Sequence, residues 1–147
     1  MSNVQASLVP TEFVDNVWPD VYGYMDNVAK RTHGRYEADD IKTLVTDYDH
    51  NLWIAFDESK ILGAVVTCIL HYPRKSFLSC PFVTGEDFSL WKKPMLDLLQ
   101  KWAKDNDCDG LESTARIGWS KVFRDDGYKP LWQTFELPAA EAGLRRD

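Results

Sequence analysis

Residues 52–66 read Leu52-Trp-Ile-Ala-Phe-Asp-Glu-Ser-Lys-Ile-Leu-Gly-Ala-Val-Val66, and this stretch carries the strongest structural signal in the chain. Residues 51–56 and 61–72 are rich in the β-branched and aromatic side chains that favour strands. The four residues between them, Asp57-Glu-Ser-Lys60, are typical of a turn. The sequence therefore predicts a β-hairpin.

The pattern downstream of the hairpin continues with alternating strands and helices. A third strand is predicted over 75–83 and a long helix over 88–105, where apolar residues recur every three or four positions. Residues 110–115 predict another strand and 119–125 a short helix, with Gly127 as its left-handed C-cap. Alternation over 131–137 predicts a closing strand.

Upstream of the hairpin, a short strand over 5–9 precedes two predicted helices. Thr11 is the expected N-cap of the first helix, and Pro19 is expected to break it, kink it or open a second helix. Residues 37–48 predict the next helix. The resulting order, β-α-α-β-β-β-α-β-α-β, predicts an α/β fold with helices on the faces of a central sheet.

Composition restricts the class of protein further. The chain has 147 residues, 44% of them hydrophobic, and 17 basic against 23 acidic residues give a net charge of −6. We expect a single domain over 1–138 and a tail over 139–147. An apolar content of this size excludes general disorder, and the negative charge argues against binding to nucleic-acid phosphates.

The same reading gives expectations about cell location. The longest apolar run, residues 61–70, is about half the roughly 20 residues that a membrane span requires, and the N-terminus has no secretory pattern. Cys68, Cys80 and Cys108 lack metal-ligand spacing and are expected as free thiols in the cytoplasm. No metal site is predicted, because the histidines lie in loops or at a strand end.

The order of elements resembles the GNAT superfamily of acetyl-CoA-dependent N-acetyltransferases. Three segments carry the resemblance: the hairpin 52–66, the strand 77–83 with the helix that follows it, and residues 119–132, where a short helix runs into Gly127-Tyr128. Short chains with a degenerate form of the family sequence are found among phage-encoded members, including virion proteins, and this chain resembles them. The resemblance implies a mixed, mostly antiparallel sheet with helices on both faces, and acetyl-CoA as the cofactor of active members.

The cofactor loop departs from the pattern of the family. Family members place a Gly-rich, basic loop before the third helix, and its N–H groups hold the cofactor pyrophosphate. Here the stretch is Thr84-Gly-Glu-Asp-Phe-Ser-Leu-Trp-Lys-Lys-Pro94, which retains one glycine and adds two acids. The resemblance leaves Val83, Gly85, Lys92 and Lys93 as candidate cofactor contacts. A cofactor-binding member would open a groove between the fourth and fifth strands and leave N–H groups free at 85–88.

The catalytic residues of the family are also poorly matched. Many members use a tyrosine to protonate the thiolate of the cofactor, and Phe123 stands at that position here. Glu112 is the nearest candidate for a general base, with a solvent-facing strand residue as the alternative. Cys80 is expected to be a buried thiol rather than a nucleophile.

Aromatic residues in the first helical region are candidates for contact with a substrate or a partner. Trp18, Tyr22 and Tyr36 fall where the resemblance places the acceptor site, although core packing would explain them as well. Two functions follow. One is a non-catalytic binding or structural module, such as a phage virion protein, which binds a protein partner or itself. The other is an active N-acetyltransferase acting on an amine of a small molecule or a protein.

Overall fold

The computed structural model describes residues 3–115 and 119–139. Contacts along the chain divide it into two compact units, residues 1–114 and 115–147. Within the residues described, the first unit contains five strands and three α-helices, and the second contains one helix.

The first unit is built around one sheet with strand order β1-β2-β3-β4-β5. Its elements are β1 (Gln5–Val9), a 3-10 turn (Thr11–Phe13), α1 (Val14–Ala29), α2 (Ala38–Asp47), β2 (Asn51–Phe56), β3 (Ile61–His71), β4 (Ser76–Gly85), α3 (Phe88–Asp105) and β5 (Gly110–Ser113). The first four strands pair antiparallel, whereas β4 and β5 run parallel. The predicted α/β class with a mostly antiparallel sheet is confirmed.

Two hydrophobic cores lie on opposite faces of this sheet. The α1/α2 core joins Val14, Val21 and Met25 of α1 to Ile41 of α2 and Phe82 of β4. The α3 core joins Trp91, Met95 and Leu99 to sheet residues that include Trp53 and Leu78. Burial on both faces explains why β3 reads as an almost continuous apolar run rather than an alternating one.

Pro19 neither breaks helix α1 nor opens a second helix, and the kink that was the other expectation stays a prediction. The helix runs without interruption from Val14 to Ala29, with Pro19 inside it. Pro19 is exposed, so water can satisfy the carbonyl group that loses its helical partner. The neighbouring Trp18 and Val21 are buried and hold both halves of the helix against the sheet. Thr11 begins a 3-10 turn and makes no side-chain capping bond.

The second unit begins with α4 (Ser120–Asp125), which ends as predicted. Gly127 has a φ of +93°, and Tyr128 N–H donates to the carbonyl oxygen of Phe123 at 2.9 Å. The strand predicted over 131–137 is wrong, because these residues form neither helix nor strand. Alternation gives a segment the capacity for strand structure, but a strand also requires a ladder of hydrogen bonds.

Candidate functional site

The loop between β4 and α3 is the first candidate site, and the peptide groups of Glu86 in this loop are bonded within the fold. Glu86 N–H donates to the carbonyl oxygen of Leu62 at 2.8 Å, and the carbonyl oxygen of Glu86 accepts the indole N–H of Trp91 at 2.8 Å. Trp91 is buried beneath the loop. The peptide groups of Glu86 therefore serve the fold rather than a ligand.

The Glu86 side chain adds a second layer of contacts to this loop. Its carboxylate accepts a hydrogen bond from Lys60 in the turn between β2 and β3. It also lies near the hydroxyl of Tyr24 of α1, which donates to the carbonyl oxygen of Ile61 at 3.1 Å. Lys60 and Tyr24 lower the pKa of Glu86. Burial, followed by the bond to Glu86, raises the pKa of Tyr24. The carboxylate therefore stays charged where the family presents positive charge to phosphate.

Gly85 is held by close packing. Its φ is +146°, and a Cβ atom there would lie 2.5 Å from both the Cα of Gly63 and the carbonyl oxygen of Leu62. This close approach between β3 and β4 requires glycine whether or not a ligand binds. The glycine that matches the family loop therefore has a structural explanation.

The other candidate cofactor contacts sit at the end of β4 and the start of α3. Val83 is half-buried and packs against the α3 core. Lys93 is exposed and forms an ion pair with Asp97 at 3.0 Å, one turn along the same helix. Lys92 is half-buried on α3. These residues lie in one region but present little free positive charge to a phosphate.

Sheet geometry does provide part of the expected groove. β4 pairs with β5 from Phe77 to Cys80, opposite Gly110 to Ser113, and then continues to Gly85. Among the described residues, 81–85 have a paired strand only on the β3 side. An acetyl-CoA-binding member would show such a stretch of β4 without pairing on the β5 side, whereas it would not show the bonded Glu86 N–H.

Glu112 lies on β5 away from this loop. It is opposite Ser79, four residues before Val83 along β4, a separation of about 13 Å at 3.3 Å per residue. Its Oε1 accepts a hydrogen bond from the Tyr72 hydroxyl at 2.7 Å, and this bond raises the pKa of Tyr72. Glu112 is half-buried and tied to a phenol. Its role as a base stays a prediction.

The three aromatic candidates differ in how exposed their side chains are. Trp18 is 6% exposed within the α1/α2 core, which agrees with the core-packing alternative, and its assignment to a substrate or partner site stays a prediction. Tyr22 is 46% exposed on α1. Tyr36 is 38% exposed and packs edge-on against Phe82 of β4 at 5.1 Å. Of the three side chains, the two tyrosines are the more exposed.

Phe123 lies among aromatic side chains, and Cys80 lies in the α3 core. Phe123 stacks with Trp119 at 6.0 Å and contacts Tyr128 at 4.9 Å within the second unit. Its phenyl ring carries no proton to donate. Cys80 is 3% exposed, and burial raises its pKa to about 12, so its thiol is inert as expected.

Sequence reasoning missed the roles of Tyr24, Lys60 and Gly63 in this loop. Their partners are far along the chain: Thr84 Oγ1 donates to the Tyr24 carbonyl oxygen at 2.8 Å, and Trp91 packs on Gly63. Short-range periodicity contains no signal for such contacts. A glycine in an apolar strand does indicate a close approach, and Gly63 lies in the hairpin.

Within 3–115 and 119–139, no three His, Cys, Asp or Glu side chains are grouped so as to hold a metal ion. In the same part of the chain, no helix has the length and apolar character needed to cross a bilayer.

Comparison with solved structures identifies the architecture. A GNAT family acetyltransferase from Staphylococcus aureus matches with a TM-score of 0.66 and 14% identity, over 95% of this chain and 100% of that one. The chain has the GNAT fold. A ribosomal-protein-alanine N-acetyltransferase from Brucella melitensis matches this GNAT fold with a TM-score of 0.67 and 14% identity, over 94% and 100% of the two chains.

A third GNAT structure has a different acceptor. It is an aminoglycoside acetyltransferase from an uncultured soil metagenomic sample, in complex with sisomicin, with a TM-score of 0.67 and 9% identity over 94% and 96% of the two chains. No family model matches the sequence. No curated protein matches it either. At these identities the likeness establishes the GNAT fold alone.

Proposed function

We propose that this chain is a GNAT-fold protein without acetyltransferase activity, which serves as a binding or structural module such as a phage virion protein. It would be made in the cytoplasm and act there or in an assembled virion. The observation that carries the proposal is the state of Glu86. Its N–H is bonded to Leu62, and its carboxylate lies with Lys60 and Tyr24, where a pyrophosphate would need free donors.

Charge strengthens this argument. A carboxylate within a few ångström of a pyrophosphate opposes binding, and the pKa of Glu86 is lowered, so the group does not neutralise near neutral pH. Lys93 is paired with Asp97 and compensates little. The residues present therefore do not fit acetyl-CoA in the manner of the family, and we derive no reaction step through it.

Titration with acetyl-CoA tests the proposal. A ligand at one hundred times its dissociation constant stabilises a protein by about 2.7 kcal/mol. We expect millimolar acetyl-CoA to leave the midpoint of thermal unfolding unchanged and to give no saturable heat in calorimetry. A saturable shift that disappears in a Lys92→Glu/Lys93→Glu variant would overturn the proposal and direct attention to an amine acceptor.

One observation favours a second candidate function, an N-acetyltransferase acting on an amine of a small molecule or protein. β4 extends past the end of its pairing with β5, which is the strand arrangement that an active member requires for its cofactor groove. This candidate predicts release of a free thiol from acetyl-CoA in the presence of amines. It also predicts that Glu112→Gln lowers the rate at pH 7, if Glu112 is the base.

A further inference from the structure

Residues 11–18 form a strap between β1 and the rest of α1, and a proline adjoins each of its ends. Pro10 follows the last residue of β1, and Pro19 lies inside α1. A proline has no backbone N–H to donate to a hydrogen-bond ladder. Because each N–H of an α-helix donates to the carbonyl group four residues earlier, the Asp15 carbonyl group has no donor at position 19. The strap is therefore joined to its neighbours by fewer main-chain bonds than an uninterrupted helix would have.

The start of α1 also lacks a stabilising cap. Neither Pro10, which precedes the 3-10 turn, nor Phe13, which precedes α1, makes a side-chain capping bond. Helix α2, by contrast, begins with a capping box. On the other side of Pro19, Gly23 lies inside α1, and glycine favours a helix less than alanine does. Local structure therefore contributes little to holding the strap in place.

Two buried side chains and one ion pair hold the strap against the first unit. Val14 is fully buried and Trp18 nearly so, both in the α1/α2 core. Asp15 pairs with Lys42 of α2 at 2.9 Å, but the Asp15 side chain is 80% exposed, so this ion pair adds little. Among the residues described, the indole N–H of Trp18 is the one buried side-chain polar group without a hydrogen-bond partner in the protein. A buried donor without an acceptor disfavours the closed strap relative to an open one in which the indole is solvated.

We propose that the strap opens as a unit at Pro19 while the rest of the first unit stays folded. Opening moves Val14 and Trp18 from the α1/α2 core into solvent. The remainder of α1 stays anchored through Val21 and Met25, which are fully buried, and β1 stays paired with β2. The strap thereby controls access to the α1/α2 core. Because it lies outside the β4–α3 loop, its opening does not depend on whether the protein binds acetyl-CoA.

Exchange of the indole N–H protons with solvent deuterium, followed by NMR, tests this opening in the unmodified protein. Trp18, Trp53 and Trp91 are all buried, but Trp53 donates to the Thr67 hydroxyl and Trp91 to the Glu86 carbonyl oxygen, both at 2.8 Å. We expect the Trp18 proton to exchange at least tenfold faster than the other two, which lie outside the strap. Equal exchange of the three protons, at the rate of global unfolding, would overturn the proposal.

Pro19→Ala distinguishes opening of the strap from a fluctuation of the Trp18 ring alone. Alanine restores the N–H that donates to the Asp15 carbonyl group, so the Trp18 proton should exchange at least tenfold more slowly in this variant. Asn27→Ala is the matched control, because Asn27 is exposed in the same helix but lies beyond the strap. It should leave the exchange of the Trp18 proton unchanged. Exchange that is as fast in Pro19→Ala as in the wild type would contradict a hinge at this residue.

Thiol labelling gives a second readout that does not depend on the indole group. Val14→Cys and Val21→Cys place a thiol at two fully buried positions of α1, one before and one after Pro19. Peptide mass spectrometry separates labelling at these positions from labelling of the native cysteines. The thiol of Val14→Cys should be labelled at least tenfold faster than that of Val21→Cys, and Pro19→Ala should abolish the difference. Equal labelling rates in the two single variants would show that the strap does not open separately from the rest of α1.

Discussion

Gly63 gives the sharpest prediction at the scale of one residue. A Cβ atom at this position would overlap the Trp91 indole and lie 2.8 Å from the carbonyl oxygen of Thr84. We expect Gly63→Ala to lower the free energy of unfolding by about 1–3 kcal/mol, because the buried indole has no room to move. Urea denaturation followed by tryptophan fluorescence measures the change.

Gly23→Ala is the matched control for this substitution. Gly23 lies inside α1, and a Cβ atom there meets nothing within 4 Å. Alanine should stabilise this helix by about 0.5–1 kcal/mol. A Gly63→Ala protein as stable as the wild type would mean that Trp91 is not fixed beneath the loop.

The residue scale is also where the sequence predicted least about the site. The residue type at Gly85 matches the family loop. Its backbone conformation and its contact with Gly63, however, come from the pairing of β3 with β4. Trp18 belonged to an aromatic cluster that could contact a ligand or pack in the core, and only the structure shows how deeply it is buried. Residue type and spacing along the sequence do not determine which way a side chain faces.

At the scale of elements, the ion pair of Glu86 and Lys60 joins the β4–α3 loop to the β2–β3 turn. The pKa of Glu86 is lowered below 4.5, so its contribution to stability is present above about pH 4.5 and is lost as pH falls through the folded-state pKa. The pKa of Lys60 is raised above 10.5. The contribution of Lys60 to stability is therefore lost only as pH rises through its folded-state pKa.

Thermal melts of Glu86→Gln therefore should show a small loss of stability that is constant from about pH 5 to 9 and shrinks below about pH 4.5. The effect is small because both groups are exposed, and added salt should reduce it. Glu58→Gln, in the same exposed turn as Lys60, should change nothing. A deficit that persists undiminished at pH 3 would contradict the ion-pair explanation.

The elements with strong local patterns were predicted well. Strand 51–56 and helix 88–105 match the structure residue for residue, because each combines a clear period with turn residues at its ends. The prediction for 131–137 failed although its alternation is equally clear. The period describes what a segment can form, and a partner strand decides whether it forms.

At the scale of the molecule, the buried core residues that the structure describes lie between Val9 and Ala103. The sheet, α1, α2 and α3 close both hydrophobic cores within residues 1–114. We therefore expect a chain truncated after Thr114 to fold by itself and to unfold cooperatively, as domains with a complete core do.

Calorimetry on the full chain and on the 1–114 chain tests this expectation. The truncated chain should give one cooperative transition, since both hydrophobic cores are complete without residues 115–147. A truncated chain without a cooperative transition would show that its two cores need residues 115–147.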